Sequence, residues 1–390
     1  MTTKKTAGSR KARTSFMSKL YNKSLLYPLY FVILTILAVY SYSLIDLNLT
    51  LFNHPLWNSF REFIIQIGYF QRSLSIGIYI FLIFSLFLLQ HLALKARLDA
   101  IKIGLLITGV LLVSYPFLSH DFFNYIFDAK ILTVYGKNPY LFKALDFPAD
   151  PYVRFMHWTH RTYPYGPTFL PITLIPSFLA FGKFILNFLF FKIMFAGAYL
   201  LMVSLMNRVN KTWALMLAVN PLIIIEGLVS SHNDLISLSL GIVGAYYLFT
   251  KKDFIGRIFF LMSAGIKYLT LSFIILSKQK KLLNYMSFLG IAAGLAYLTF
   301  RSEIQPWYFL AVFAFLPFFE EFIGKLNIFW AGLLFSYYPY IYLGGWDKPE
   351  KVVLKHNIII AFAVLNALYL IFLNLTKAKS SSKNLLPRSR

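Results

Sequence analysis

The chain has no cysteine among its 390 residues. That excludes disulfide frameworks, thiolate nucleophiles and cysteine-ligated metals. Charge is scarce as well: 14% of residues are Asp, Glu, Lys or Arg, against about 25% in soluble domains. Acids are scarcest, with 15 Asp and Glu against 38 Lys and Arg. No Walker loop, Rossmann glycine fingerprint, HExxH or GxSxG element stands in a context that would make it work. A cytosolic nucleotide site is therefore not expected. An enzyme acting on the outer face of a membrane has no ATP or nucleotide sugar to draw on, so its donor must arrive on a lipid carrier.

What is abundant is apolar length. Hydrophobic residues make up 58% of the chain, aromatics 19%, with 41 Phe and 26 Tyr, and the mean hydropathy is +0.64. Many runs approach the ~20 residues that cross a bilayer core. The fold class is an all-α polytopic membrane protein, a bundle of about 11–13 transmembrane helices, with some aromatics in interfacial belts. The segments expected to lie in the membrane are 25–45, 73–94, 101–118, a broken region 167–206, 212–229, 234–250, a region 254–277 that dips and returns, 282–300, 306–320, 326–344 and 357–376. The first run is longer than a signal-peptide core and no small-x-small site follows it, so it is kept as a span.

Net charge is +23. In this setting it reads as the positive-inside pattern and attraction to anionic lipids, not as nucleic-acid binding. The expected organisation is a basic cytoplasmic tail over 1–24, a membrane domain over 25–376 and a basic cytoplasmic tail over 377–390, with both termini on the cytoplasmic side of the cell membrane. Basic residues at Lys95, Arg97, Lys102, Arg208, Lys211, Lys251, Lys252 and Lys278 then put four distant polar clusters on the outer face. These are the long loop 119–166, Ser230–Asp234, Lys267 and Arg301–Tyr308. The loop is too rich in Phe, Tyr, Trp and Pro for a solvated tail, and loops of this length in compact folds are commonly functional. It is expected to fold over the membrane face.

Each cluster has a structural and a functional reading. His120 and Asp121 follow Ser119 at the end of an apolar run. Asp121 is either a helix cap or a carboxylate placed to accept a proton. Asp128, seven residues on, is a second candidate base or an ion-pair partner of Arg154 or Arg161. Tyr163, Tyr165 and the Pro–Gly–Pro run Pro164-Tyr165-Gly166-Pro167 make a rigid turn that serves as surface belt or substrate wall. Arg161 has the fork geometry for a phosphate. His232, Asn233 and Asp234 sit at a helix start, as cap residues, hydroxyl ligands or part of a metal site. Lys267 lies within an apolar segment, either snorkelling or facing a lipid phosphate. Glu303, Gln305, Trp307 and Tyr308 suit an interfacial belt and equally a sugar site. No motif demands a cofactor, and a divalent cation is left open.

In order along residues 114–310, these motifs resemble polytopic glycosyltransferases of the GT-C superfamily, above all bacterial polyprenol-phosphate-mannose-dependent mannosyltransferases. SHDFFNYIFDAKILTVYGKNPY resembles their acidic first-loop motif followed by G-x-NPY. TYPYGP resembles their YGP element, SSHNDLISL their GHND element, AGIKYLTL their internal lysine motif and EIQPWYFL their PWY motif. FDAK and TYPYGP also resemble the mannosyltransferase of the eukaryotic glycolipid-anchor core. His120 before the Asp, and two serines rather than glycine before His232, depart from the family pattern. No large soluble domain is expected after the last spans, so the oligosaccharyltransferase branch is disfavoured.

The resemblance implies an inverting cell-envelope hexosyltransferase. It takes a sugar, commonly mannose, from a polyprenyl-phosphate donor and passes it to a glycan or lipid acceptor. Asp121 is then the base, Lys267 and Arg161 hold the donor phosphate, His232 and Asp234 shape the site, and Trp307 and Tyr308 flank sugar or lipid. The competing expectation is a multi-pass transporter or glycolipid flippase, since broken helices and intramembrane charges also mark transport sites.

Overall fold

The computed structural model describes residues 22–345 and 348–383, with side chains to residue 376. Of the expected basic tails, 1–24 lies outside the described residues except for its last three, and 377–390 is described only as backbone to residue 383. Every regular element among the described residues is helical, without a strand. Among the described residues, five helices are long and apolar enough to cross a membrane alone: Lys23–Leu44, Arg72–Ala96, Phe184–Val209, Lys281–Arg301 and Pro349–Thr376. A bent pair, Lys211–Ala218 with Ile223–Val229, makes a sixth. The shorter apolar helices are Ala100–Leu111, Phe169–Leu179, Asn233–Phe249 and Pro306–Phe315.

Burial sorts these helices into centre and rim. Lys281–Arg301 and Pro349–Thr376 bury only 17% and 11% of their apolar windows, whereas Arg72–Ala96 buries 50%. Their outward Leu, Ile and Phe side chains make an apolar surface that water would not tolerate at this extent. At the centre lies Asn233–Phe249, buried on nearly every face. It packs against Phe184–Val209, Asp253–Ala264 and Pro306–Phe315. Its composition explains this: a helix apolar all round belongs in a core.

The expected breaks are present. Region 167–206 is two helices, Phe169–Leu179 and Phe184–Val209, joined through Gly182 at φ +72°. Region 254–277 is Asp253–Ala264 followed by a 3-10 stretch, Tyr268–Ile275, with the break at Gly265–Lys267. The span expected over 212–229 bends by 64°. Asn210 caps its first half, accepting from the Thr212 and Trp213 N–H groups. After the bend Asn220 accepts from the Leu222 N–H at 2.9 Å. The second half is a wider π-helix whose carbonyl end is capped by a lysine from elsewhere. Lys192 donates to the carbonyls of Leu228 at 2.7 Å and Val229 at 2.8 Å, and to the hydroxyls of Ser114 and Ser231. An ammonium buried in apolar surroundings needs such partners, and a helix C-terminus offers them.

The loop 119–166 is folded. It opens as a buried helix, Asp121–Thr133. Lys130 on that helix pairs with Asp150 at 2.5 Å, and the Tyr135 hydroxyl donates to the same carboxylate at 2.6 Å. The turn at Gly136–Tyr140 is joined directly to the start of the Pro164–Pro167 turn, because the Tyr163 N–H donates to the Pro139 carbonyl at 2.9 Å. The loop docks on the bundle where two glycines meet. The Thr168 N–H donates to the Gly265 carbonyl at 3.0 Å. A Cβ on Gly166 would stand 2.1 Å from that same oxygen. Neither backbone can give way without moving its segment. We therefore expect Gly166→Ala to lower stability by roughly 1–3 kcal/mol, read as a drop in the thermal midpoint of the purified protein. The same substitution at Gly136, a loop glycine at φ +62° with open space around it, should be milder.

Candidate active site

One cavity of about 710 Å³ gathers residues from all the polar segments except Ser230–Asp234. Its wall includes His120, Asp121, His157, Trp158, Arg161 and Tyr165 from the loop, Lys267 from the second break, and Glu303, Gln305, Trp307 and Tyr308 from the connection after Lys281–Arg301. The polar clusters read from the sequence, well separated along the chain, share this space or stand directly behind it.

Asp121 is the first residue of its helix, where the backbone dipole favours a carboxylate. Arg161 Nη2 lies 3.8 Å from one of its oxygens and His232 Nδ1 4.0 Å from the other. Burial raises the Asp121 pKa, while the charges of Lys267 and Arg161 work against that rise. The result is a carboxylate of increased basicity kept next to two cations.

Asp128 is differently placed. Seven residues further along the helix is about two turns, or roughly 10 Å, deeper. Asp128 is buried, does not line the cavity, and pairs with neither Arg154 nor Arg161 among the described residues. Burial pushes its pKa up to about 8. The ion pair expected from sequence is absent because Arg161 turns toward Asp121 and lays its guanidinium over Trp158, 4.7 Å from the ring. The Trp158 carbonyl is in turn held by the Asn124 side-chain amide at 3.2 Å.

His232 and Asp234 stand one layer behind the cavity. Asp234 receives the Lys267 ammonium at 2.9 Å, so Lys267 is paired and aimed, not snorkelling. Tyr308 lies on its other side, 5.7 Å from ring centre to ammonium. His232 stacks on Trp307 with centroids 3.9 Å apart and planes 17° apart. Its Nε2 is 3.4 Å from Glu226. A carboxylate, an imidazole and a second, fully buried carboxylate thus run inward from the cavity as Asp121, His232 and Glu226. Asn233 gives only its backbone N–H, to the Tyr125 hydroxyl at 3.3 Å. Tyr163 is buried behind Tyr165 in an edge-to-face pair. Neither Asn233 nor Tyr163 lines the cavity.

Glu303 and Gln305 do line it, but each is already committed on one side. Lys355 on the last long helix donates to both, at 2.6 Å each. Lys355 and Glu226 were not singled out in the sequence. A lone lysine or glutamate inside an apolar run is the signal that points to them. Asp46 and His157 were missed too, because neither lies in a recognisable motif. Among the described residues, the one group of three His or carboxylate side chains close enough to hold a metal is Asp46, His120 and His157. It is not His232 with Asp234, whose carboxylate is taken by Lys267. Burial holds the His120 imidazole down to about 3, and the neighbouring His157 adds to this.

Comparison with known families finds residues 53–278 matching the MptA/B family, described as alpha-(1->6)-mannopyranosyltransferase, N-terminal domain. That is more than half of the chain, and it runs from before Asp121 to beyond Lys267. It ends ahead of Glu303–Tyr308. No curated protein and no solved structure matches the chain.

The Lys267–Asp234 pair should be measurable as a coupling. Asp234→Ala and Lys267→Ala should each destabilise the protein, since each leaves a charge without its partner. The double variant should lose less than their sum by about 1–3 kcal/mol. Denaturant or thermal unfolding of the four proteins gives the coupling directly, and additive losses would mean that the two side chains do not interact.

Proposed function

The chain belongs to the MptA/B family of alpha-(1->6)-mannopyranosyltransferases, and from that premise we propose that it transfers mannose from a polyprenyl-phosphate carrier to a hydroxyl of a glycan or lipid acceptor at the outer face of the cell membrane. The observation that carries the reading is Asp121: a carboxylate on the wall of an accessible cavity, flanked by Arg161 and Lys267 and faced by aromatic rings. In this reading the bundle is of GT-C type and the linkage formed is α-1,6.

The chemistry follows from the groups present. An acceptor hydroxyl approaches Asp121 and its oxygen attacks the anomeric carbon. The O–H proton passes to the Asp121 carboxylate. The bond from the anomeric carbon to the phosphate oxygen breaks, and the polyprenyl phosphate leaves with the electron pair. One displacement inverts the anomeric centre, so an α product requires a β-linked donor. Lys267, fixed by Asp234, and Arg161, backed by Trp158, neutralise the departing phosphate. Fixed charges aimed at the group where charge develops are commonly the largest contribution to catalysis. Trp307, held by its stack on His232, offers a flat face to a sugar ring, and Glu303 and Gln305 offer oxygens to its hydroxyls. A separate apolar cleft of about 180 Å³ is lined by Phe288, Leu295 and Phe309, the residue after Tyr308, and its apolar lining suits part of a lipid chain.

The test is transfer of radiolabelled mannose from a polyprenyl-phosphate donor to a panel of mannoside acceptors by the purified protein. Asp121→Asn should lower the rate by roughly 10²–10⁴ with an unchanged thermal midpoint. A fully active Asp121→Asn protein would remove Asp121 from the mechanism. Asp128→Asn, away from the cavity, should retain more activity than Asp121→Asn. Lys267→Ala should weaken use of the donor more than use of the acceptor, and equal effects on both would count against its contact with the phosphate.

A further inference from the structure

Asp46, His120 and His157 come from three separate parts of the chain. Asp46 follows the 3-10 turn Ser41–Leu44 that ends the first long helix. His120 immediately precedes the helix of Asp121. His157 lies in the irregular second half of the loop. One donor atom from each lies within 4.8 Å of the other two. His157 Nε2 stands 3.4 Å from Asp46 Oδ2. The imidazoles of His120 and His157 lie face to face, with centroids 3.5 Å apart and planes 12° apart.

We propose that these three side chains form a binding site for one divalent transition-metal ion of the zinc class, at the rim of the cavity. Two imidazoles and a carboxylate are the borderline donor set that such ions prefer, and that calcium and magnesium do not. The spacing fits. Bonds of about 2.0–2.1 Å in tetrahedral geometry put neighbouring donor atoms roughly 3.4 Å apart, which is the His157–Asp46 distance. Asp46 is oriented from behind. Its Oδ1 accepts from the Asn48 N–H at 2.8 Å, its own N–H donates to the Tyr115 hydroxyl at 3.1 Å, and Oδ2 is left facing the histidines. Such outer contacts are what hold a ligating carboxylate in place. A direct face-to-face sandwich is not the arrangement that aromatic rings prefer by themselves, and the His157–Asp46 contact helps hold this one. In the stack the in-plane lone pairs run parallel, so binding one ion requires the half-exposed His157 ring to rotate out of it.

The proposal has a structural consequence. Three protein donors leave the fourth position open, and it faces the cavity because His120 and His157 both line it. An oxygen donor from the cavity completes the coordination there. The ion also ties the end of the first helix and the distal loop to the residue next to Asp121. None of this depends on the sugar, the acceptor or the direction of transfer.

The experiment uses the full-length protein in detergent, stripped with a chelator and titrated with Co²⁺, followed by visible d–d absorption. Zinc content is measured on protein purified without chelator, and the thermal midpoint is read with and without Zn²⁺. One ion per chain is expected, with a midpoint that rises on adding Zn²⁺. His157→Ala and Asp46→Asn should each lower Co²⁺ affinity by more than the roughly 10–100-fold that changes in outer contacts produce. His157 is half exposed, so that variant is expected to fold, and size-exclusion profiles check both. His160→Ala, at an exposed loop histidine outside the three, should bind as the parent does. No uptake by the folded parent protein overturns the proposal. So does uptake that survives both His157→Ala and Asp46→Asn, or that is lost in His160→Ala, which would put the ion elsewhere on the loop.

Discussion

A charge buried among apolar helices must have a partner, and that requirement organises this protein. Lys267 meets Asp234, Lys355 meets Glu303 and Gln305, and Lys130 meets Asp150. Lys192 meets four oxygens at the end of a broken helix. Removing one member of a buried pair is far more damaging than replacing both, because the remaining charge has no water to turn to. Each lysine therefore fixes the relative position of two segments. Two of these pairs, those of Lys267 and Lys355, also border the cavity. What holds the bundle in register and what shapes the site are the same contacts.

Helix breaks are the second device. Side chains midway along a continuous helix face other helices or lipid. A side chain at a break can face a cavity, and the freed backbone groups must then find partners. Lys267 sits at the break between Ala264 and Tyr268. His232 and Asp234 begin a helix just after the π-helical Ile223–Val229, with Ser231 in the left-handed region at φ +57° making the corner. Trp307 and Tyr308 open the 3-10 stretch Pro306–Phe315. Two of these breaks supply the wall opposite the loop, and the one at His232 and Asp234 backs it. The loop supplies Asp121 and Arg161, and the close approach of Gly166 to Gly265 seats the two halves on each other.

Legibility in the sequence followed the kind of signal. Helical class and membrane spans come from long apolar runs, a property of composition that needs no partner to be seen. The breaks at Gly265–Lys267 and around Gly182 were also legible, because a glycine or lysine interrupts an apolar run there. So were Asp121, Arg161, Lys267 and Trp307, through polar motifs standing out against an oily background. The helix Pro55–Ile65 was not seen; its short mixed sequence has no clear apolar run. Nor were Asp46, His157, Glu226 and Lys355, each a single polar residue whose meaning lies in what it touches.

The sequence by itself determined that the chain is an all-helical membrane protein with a folded polar loop, and which residue types are available for chemistry. Hydrophobic length and local turn chemistry suffice for that. Only the tertiary structure decided that Asp121 rather than Asp128 faces the cavity, that Lys267 is held by Asp234, and that two histidines and an aspartate from three segments meet beside them. Those outcomes depend on packing between segments far apart along the chain. Two carboxylates seven residues apart on one helix are chemically alike until neighbouring helices leave one open to the cavity and enclose the other.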